Sequence, residues 1–223
     1  MPIFLKLARG LALSCAILIA LATGGCSAPG AILYKFMGPP PIPARYNMPR
    51  TPLLVLVENA HSGAIAIPET DALAAVIYED LHANDVAPLI DPNKVHELRD
   101  HNPTTFAKMS IAEIGHQVGA QQVLYIRVHQ LDIEAPAASD VVRLKIGAKI
   151  RVVETETART TWPDSGDTEP FDVETPWQRV DAGTSRSALN QEILRESGEE
   201  IARWFYAYKP ETMTEENKGQ KFR

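Results

Sequence analysis

Two histidines, His96 and His101, are of a residue type that could bind a catalytic metal ion. The helical zinc motif places its histidines at positions i and i+4, so that one turn of helix brings them together. His96 and His101 are five residues apart, which separates them by about 140° around a helix, and Pro103 ends the segment. Three more histidines are scattered along predicted helices and a strand: His82, His116 and His129. We therefore predict neither a metal site nor a cofactor.

A second candidate for chemistry follows the first hydrophobic run, residues 53–57. His61-Ser62-Gly63 stand where α/β proteins often bind ligands, beyond the carboxyl end of a strand. Ser62 lacks the G-x-S-x-G surroundings of a nucleophile elbow, and the chain contains no Gly-rich phosphate-binding fingerprint. We interpret this segment as a connecting loop, and we do not expect an enzyme.

Four basic residues alternate with apolar residues in a predicted strand, residues 141–153. Successive side chains of a strand point to opposite faces, so the basic residues share one face and the apolar residues the other. The basic row is Arg143, Lys145, Lys149 and Arg151. It could be a surface for an anionic partner: lipid head groups, a glycan polymer or an acidic protein face. The simpler interpretation is the solvated face of a half-exposed sheet, where long basic side chains are common and also discourage edge aggregation.

A third interpretation of the same region is a membrane-spanning hairpin formed by residues 122–133 and 141–153. Alternating strands of about 9–11 residues are long enough to cross a bilayer. One hairpin per chain would require a ring of several subunits. The domain's own sheet needs the same two strands, which favours the two surface interpretations.

The amino terminus has the pattern of a secretory signal peptide. Lys6 and Arg9 make the first nine residues positive, an apolar run extends from Leu11 to Leu21, and small residues lead to Cys26. The run is too short for a transmembrane helix, which needs about 20 residues. Cys15 lies inside it and is lost with the leader, so no disulfide or thiolate metal site can form afterwards.

The residues around the cleavage site resemble the bacterial lipobox, usually Leu-Ala-Gly-Cys, with Thr23 in place of the aliphatic residue. The resemblance implies that Cys26 is lipidated, becomes the first mature residue and carries several acyl chains; stable anchoring needs at least two. Ser27, rather than Asp, follows it, which in the best-known sorting rule favours the outer membrane. The alternatives are ordinary cleavage near Ala28 and an uncut anchor.

The charge of the mature chain argues against nucleic acid as a partner. Removing residues 1–25 removes Lys6 and Arg9 and no acidic residue, so the formal net charge changes from −6 to −8. Binding to phosphate backbones requires a basic footprint. The remaining residues suffice for one domain with tails.

Composition divides the mature chain into three parts. Residues 26–52 are predicted to be the lipidated Cys and an extended, proline-rich tether. Residues 53–209 are predicted to form a single α/β domain. Residues 210–223 are polar and charged without apolar periodicity, which predicts a disordered tail.

Hydrophobic periodicity predicts the elements of the domain. The first half contains a strand at 53–57, a helix at 69–84, a short strand at 87–90 and a helix that a capping box opens at Ser110 and Gly119 ends. The second half contains strands at 122–133 and 141–153 and a strand that ends at Trp162. An acidic loop at 164–172 and a long helix from Ser185 follow. Ser197 and Gly198 would let this last helix approach a neighbour closely. The order β-α-β-α-β-β-β-α predicts an α/β (α+β) fold with a mixed sheet of about five strands and helices packed on it.

Two segments resemble a group of periplasmic α/β domains. Residues 114–126 look like the group's helix, Gly-Ala and hydrophobic strand, and residues 151–162 look like its strand-turn-strand, with Ala158 replacing the usual turn glycine. The group includes the curli secretion channel lipoprotein, the lipoprotein activators of penicillin-binding proteins and the amino-terminal domain of TolB. The resemblance covers about residues 53–208, implies the same fold and offers no catalytic residues.

Together these observations favour a non-enzymatic protein-binding or assembly module, anchored through its lipid and facing the periplasm from the outer rather than the inner membrane. Its partner would be an unidentified envelope protein or polymer, and the oligomeric state is left open. The alternatives are a subunit of an oligomeric outer-membrane export channel and a secreted enzyme of unrecognised type.

The lipid anchor gives the first testable prediction. Cys26→Ala removes the acylated thiol, so the protein should move from the membrane fraction to the soluble fraction. Cys15→Ala is the matched control, because that cysteine leaves with the leader and its loss should not change the fractionation. Firm membrane retention of the Cys26→Ala variant would contradict the anchoring prediction.

Overall fold

The computed structural model describes residues 39–61, 68–136, 140–179 and 185–210. The predicted leader, Cys26, the first part of the tether, Ser62-Gly63 and the tail from residue 211 lie outside these ranges. The compact unit described below runs from Ile42 to Tyr208.

Strands and helices alternate along the first half of this unit, and strands dominate its centre. The strands are β1 (Leu53–Asn59), β2 (Gln122–Glu134), β3 (Val141–Glu154), β4 (Thr160–Trp162), β5 (Glu169–Glu174) and β6 (Gln178–Arg179). The helices are α1 (Pro68–Ala83), α2 (Asn93–His101), α3 (Pro103–Phe106), α4 (Ile111–Val118) and α5 (Arg186–Ala202), with a 3₁₀ turn at Arg203–Phe205. The predicted fold class, a mixed sheet with helices packed on it, is confirmed.

The sheet is built around β3. One edge of β3 pairs with β2 in an antiparallel hairpin, which shifts register at a bulge between Val128 and Gln130. The other edge pairs in turn with the short strands β4, β5 and β6. β1 joins the far side of β2 in parallel. Every described strand is therefore reached from β3 directly or through β2.

The sheet has two differently covered faces, because apolar residues occur on both sides of β1 and β2. The inner face packs under α1 and α5 and includes the predicted apolar row of β3, from Val142 to Val152, all buried. On the outer face, α2, α3 and α4 cover only one end, where Leu54, Leu56 and Val123 are buried. The rest of the outer face has no helix on it in the described ranges.

Helix α4 ends as its sequence predicts. Ser110 Oγ accepts a hydrogen bond from Glu113 N at 3.2 Å, and Glu113 Oε2 accepts one from Ser110 N at 2.7 Å, which forms the capping box. Gly119 follows the helix with φ of 82°, a left-handed conformation that glycine adopts without strain. Ala158 also has a positive φ, 55°, at the position of the group's turn glycine.

Two local elements differ from the prediction. Residues 87–90 do not form a strand of their own: Leu89 makes a single parallel bridge to Leu53 at the edge of β1. The predicted acidic loop at 164–172 contains the start of β5, because Phe171 reaches the buried core while Glu169 and Asp172 stay on the surface of the strand. Alternation there is short and interrupted by Pro170, so periodicity is a weak signal.

The compact unit also begins earlier than the predicted boundary at residue 53. Ile42 and Tyr208 exchange two backbone hydrogen bonds, at 2.8 and 3.1 Å, and Arg45 N donates to Trp204 O at 2.7 Å. The Arg45 guanidinium lies 4.1 Å from the centre of the Trp204 indole. The segment from Ile42 thus packs on the domain.

The close approach predicted at Gly198 is present between α1 and α5. A Cβ atom built on Gly198 would lie 2.6 Å from Val76 Cγ1 and 3.0 Å from Val76 Cβ. Only a residue without a side chain fits there unless Val76 moves.

Gly198→Ala should therefore lower the free energy of unfolding by about 1–2 kcal/mol, because overpacking costs about 1–3 kcal/mol and the better helix propensity of alanine offsets part of it. In a Val76→Ala background the same change should be neutral or stabilising. Denaturant unfolding of the four proteins gives this double-mutant cycle. Equal effects of Gly198→Ala in both backgrounds would show that Val76 is not the obstacle.

Candidate functional site

The uncovered part of the outer face carries the predicted basic row. Register places Arg143 opposite Glu134, Lys145 opposite Asp132, Lys149 opposite Arg127 and Arg151 opposite Tyr125. The four basic residues therefore share one face, as predicted. They do not form one continuous basic surface, since the neighbouring strands place different groups beside each of them.

Arg143 and Lys145 belong to a cluster of four charges, which we call the charge cluster: Glu134, Arg143, Lys145 and Glu174. Arg143 Nε donates to Glu134 Oε2 at 2.9 Å, and the same guanidinium contacts Glu174. Lys145 Nζ lies 2.8 Å from Glu134 Oε1 and 3.4 Å from Glu174 Oε2. Two bases and two acids balance each other at the end of the hairpin.

These contacts change the ionisation of the groups involved. Hydrogen bonds from Lys145 and then Arg143 lower the pKa of Glu134 below its ordinary value. The hydrogen bond to Glu134 in turn raises the pKa of Arg143 and the pKa of Lys145. All three are charged at neutral pH, and an external anion would have to compete with the cluster's own carboxylates.

An exposed tryptophan lies against the charge cluster. The Trp177 ring is 46% exposed, and the Arg143 guanidinium carbon lies 4.6 Å from its centre. The backbone just before it is fixed to β3, because Thr175 N donates to Leu144 O and Leu144 N donates to Thr175 Oγ1, both at 3.0 Å. Pro176 restricts the connecting residue further. We call Trp177 together with the charge cluster the tip.

Lys149 and Arg151 have different surroundings. Neither forms an ion pair with any described residue, nor does Arg127 on the neighbouring strand. Pro170 of β5 lies opposite Lys149, where Glu174 lies opposite Lys145. The structure thus splits the predicted row into a neutralised pair and an unpaired pair.

Two shallow cavities adjoin the remaining candidates. One of about 500 Å³ lies against α2 and is lined by His101 but not His96. The other, of about 470 Å³, lies beyond the end of β1 and includes His61 and His129. His129 Nε2 lies 3.7 Å from Asp172 Oδ1. Within the described ranges no three His, Cys, Asp or Glu side chains are grouped in a way that could hold a metal ion.

Sequence reasoning missed Trp177 and Arg127 as surface features. A large aromatic residue that follows Pro176 in a polar stretch could have indicated that Trp177 is exposed. Arg127 was hidden in a strand whose two faces are both fairly apolar, so only the register with β3 shows that it lies beside Lys149. No helix among the described residues is long and apolar enough to cross a membrane.

No protein-family model matches the sequence, and no curated protein matches it. Among solved structures the chain is similar to lipoprotein GNA1162 from Neisseria meningitidis, with 18% identity over 68% of this chain and 98% of that one and a TM-score of 0.43. It is also similar to a protein from Xanthomonas campestris, with 13% identity over 74% and 87% and a TM-score of 0.45.

A third similar structure is the LpoB C-terminal domain from Escherichia coli, with 15% identity over 65% of this chain and 94% of that one and a TM-score of 0.35. Lipoproteins are thus among the structures that the chain is similar to.

The charge cluster predicts a pH-dependent contribution to stability. A carboxyl group whose pKa is depressed by folding stabilises the fold above its unfolded pKa, and this contribution is lost as the pH falls through the folded pKa. Glu134→Gln should therefore lower the melting temperature at neutral pH, and the difference from the wild type should close as the pH falls below 4.5, the ordinary pKa of Glu134.

The matched control is Glu156→Gln, an exposed position in the turn after β3, which should show no such pH-dependent difference. Melting temperatures measured from neutral pH to about pH 3 test this prediction. A Glu134→Gln difference that stays constant over the whole range would contradict an ionic role for Glu134.

Proposed function

We propose that this chain is an envelope lipoprotein that acts as a non-enzymatic protein-binding or assembly accessory module. Its leader is removed before Cys26, the acylated cysteine holds it at the membrane, and residues before Ile42 connect the anchor to the domain. The domain faces the periplasm, from the outer membrane by the sorting rule at Ser27. The described residues and the leader pattern support this proposal.

The observation that carries the binding function is the exposure of Trp177 between a hydrogen-bonded backbone and the Arg143 guanidinium. Tryptophan and arginine dominate the residues that contribute most to protein–protein binding, and they do so from fixed, central positions. Here the Thr175–Leu144 hydrogen bonds hold the backbone and Arg143 holds the ring. Little conformational entropy would be lost when a partner covers a side chain that is already ordered.

The balanced charge of the tip indicates the kind of contact. The two carboxylates of the charge cluster offset its two cations, and Arg179 nearby on β6 pairs with Asp140 at 2.8 Å. The tip would therefore not select a partner by the partner's net charge. An apolar cleft that accepts the indole, rimmed by polar groups, fits this arrangement.

The titratable groups support a non-enzymatic role. The described carboxyl groups with lowered pKa values are Glu113, in the capping box with Ser110, and Glu134, in the charge cluster. Burial, followed by the hydrogen bond to Asp80, raises the pKa of Tyr206 to about 12. Each shift has a structural partner, whereas catalytic groups with shifted pKa values face a cleft.

The export-channel alternative would place β2 and β3 in a membrane. Their lengths, 13 and 14 residues, would permit this. In the folded domain β3 is paired along both edges, β2 is paired with β1 as well as β3 from Gln122 to Val128, and the inner face of β3 is buried under α5. Inserting them would require the sheet to separate, which supports the binding module.

Site-specific cross-linking tests the proposed surface. A photoreactive aromatic amino acid replacing Trp177 in living cells keeps a large ring at this position, so it should retain the contact that Trp177→Ala loses and form a light-dependent adduct with a second protein. The matched control position is Glu79, exposed on α1, which should form no such adduct. Equal adducts at both positions, or none at position 177, would contradict the proposal.

A further inference from the structure

A second surface on the outer face is built from cations that the fold does not neutralise. Arg127 and Lys149 lie directly opposite each other across β2 and β3, and Arg151 lies two residues along β3. Arg127 and Lys149 are exposed and Arg151 is half-buried. Like charges placed opposite each other on a sheet destabilise it. We call these three residues the basic trio.

No described carboxylate forms an ion pair with the basic trio, and Asp172, two residues along β5 from Pro170, lies 3.7 Å from His129 Nε2 instead. Pro170 faces Lys149 from β5. Glu58 faces Arg127 from β1, but its Oε2 accepts a hydrogen bond from the Tyr125 hydroxyl at 2.8 Å and it forms no ion pair with the trio. Three cations thus stand beside the single carboxylate of Glu58, which leaves this surface positive in a chain whose formal net charge is negative.

Arg151 is the most desolvated member. Its guanidinium carbon lies 5.3 Å from the centre of the Tyr125 ring. Its Nε is buried and has no hydrogen-bond partner among the described residues. Leaving such a donor unpaired is costly. Ordered by Tyr125 and partly removed from water, Arg151 would bind an oxyanion more strongly than a freely hydrated side chain.

The shape of the surface decides between an anionic membrane and an anionic chain. Helix α4 packs on the sheet next to the trio, with Gly115 against Val123 and Thr155, and Ile111 and Ile114 pack in the same cluster as Tyr125. A helix with its side chains is about 10 Å thick, so the trio lies at the foot of a step. A flat bilayer would meet α4 before it met the strands, whereas an extended chain can lie beside α4 along the strands.

The spacing fits alternate residues of an extended peptide. Lys149 and Arg151 are separated by about 6.8 Å along the strand, which is also the distance between residues i and i+2 of an extended peptide. We propose that the basic trio docks an extended acidic segment of a partner protein, with carboxylates on alternate residues. This inference rests on the proposed function, since it names a class of partner, but it uses a surface separate from Trp177.

The test measures binding of fluorescent octapeptides to the full chain purified in detergent. The probe is (Glu-Thr)₄, and a peptide of four consecutive glutamates followed by four threonines is the composition-matched control. The alternating peptide should bind more tightly, because all its carboxylates reach one face. Arg127→Gln with Lys149→Gln should weaken its binding by about tenfold or more, as expected for losing charge-assisted contacts.

Lys94→Gln with Lys108→Gln is the matched control variant: it changes the charge equally at two exposed lysines outside the trio, and its affinity should not change. Neither double variant should lower the melting temperature, because neither removes an ion pair within the described residues. Equal affinity of the wild type and the Arg127/Lys149 variant, or equal affinity for the two peptides, would overturn the inference.

Vesicles containing phosphatidylglycerol form the second arm of the test. Binding to these vesicles that depends on the trio, without binding of the alternating peptide, would assign the site to lipid head groups and overturn the acidic-peptide proposal. A negative peptide result leaves cross-linking at position 177 unaffected, so the two proposals fail separately.

Discussion

The strict alternation of β3 is the constraint on which the rest of this structure depends. Its apolar residues, from Val142 to Val152, are buried beneath α5 and help to form the main core. Its basic residues are thereby placed on the opposite face, since a strand turns successive side chains to opposite sides. A slip of one residue in register would bury the cations and expose the core, so the hydrophobic pattern determines which face meets solvent.

The short strands along the far edge of β3 then determine which of its cations form ion pairs. Glu174 of β5 lies opposite Lys145 and also contacts Arg143, so these two cations are held within the domain. Four residues earlier, Pro170 lies opposite Lys149 and provides no charge. Proline also suits an edge strand, because its missing N–H is not needed on the open side. One strand thus contributes both to the charge-balanced tip and to the basic trio without ion pairs.

Much of the fold could be predicted from the sequence because its strongest elements are long and periodic. β3 and the capping box of α4 depend on local patterns, and both are present as predicted. The short elements could not be predicted in this way. β5 has Pro170 in its middle, and residues 42–52 look like a tether although they contact Trp204 and Tyr208.

In the candidate site, too, some features follow from local sequence patterns and others depend on contacts between distant residues. The shared face of Arg143, Lys145, Lys149 and Arg151 follows from alternation within one strand. Which of them are neutralised depends on Glu134 and Glu174, which come from two other strands, and on the register between them. The position of Trp177 against the charge cluster depends on its contact with Arg143. Contacts between distant parts of the chain, rather than residue types, determine these properties.

The native mass and composition of the protein after gentle detergent extraction test the central claim, a tethered module that binds another protein, most directly. We expect a particle that contains a second polypeptide and that dissociates when Trp177 is replaced by Ala. A particle made of many copies of this chain alone would contradict it and favour the export-channel subunit. A heteromeric particle that survives Trp177→Ala unchanged would contradict the assignment of the binding surface to the tip.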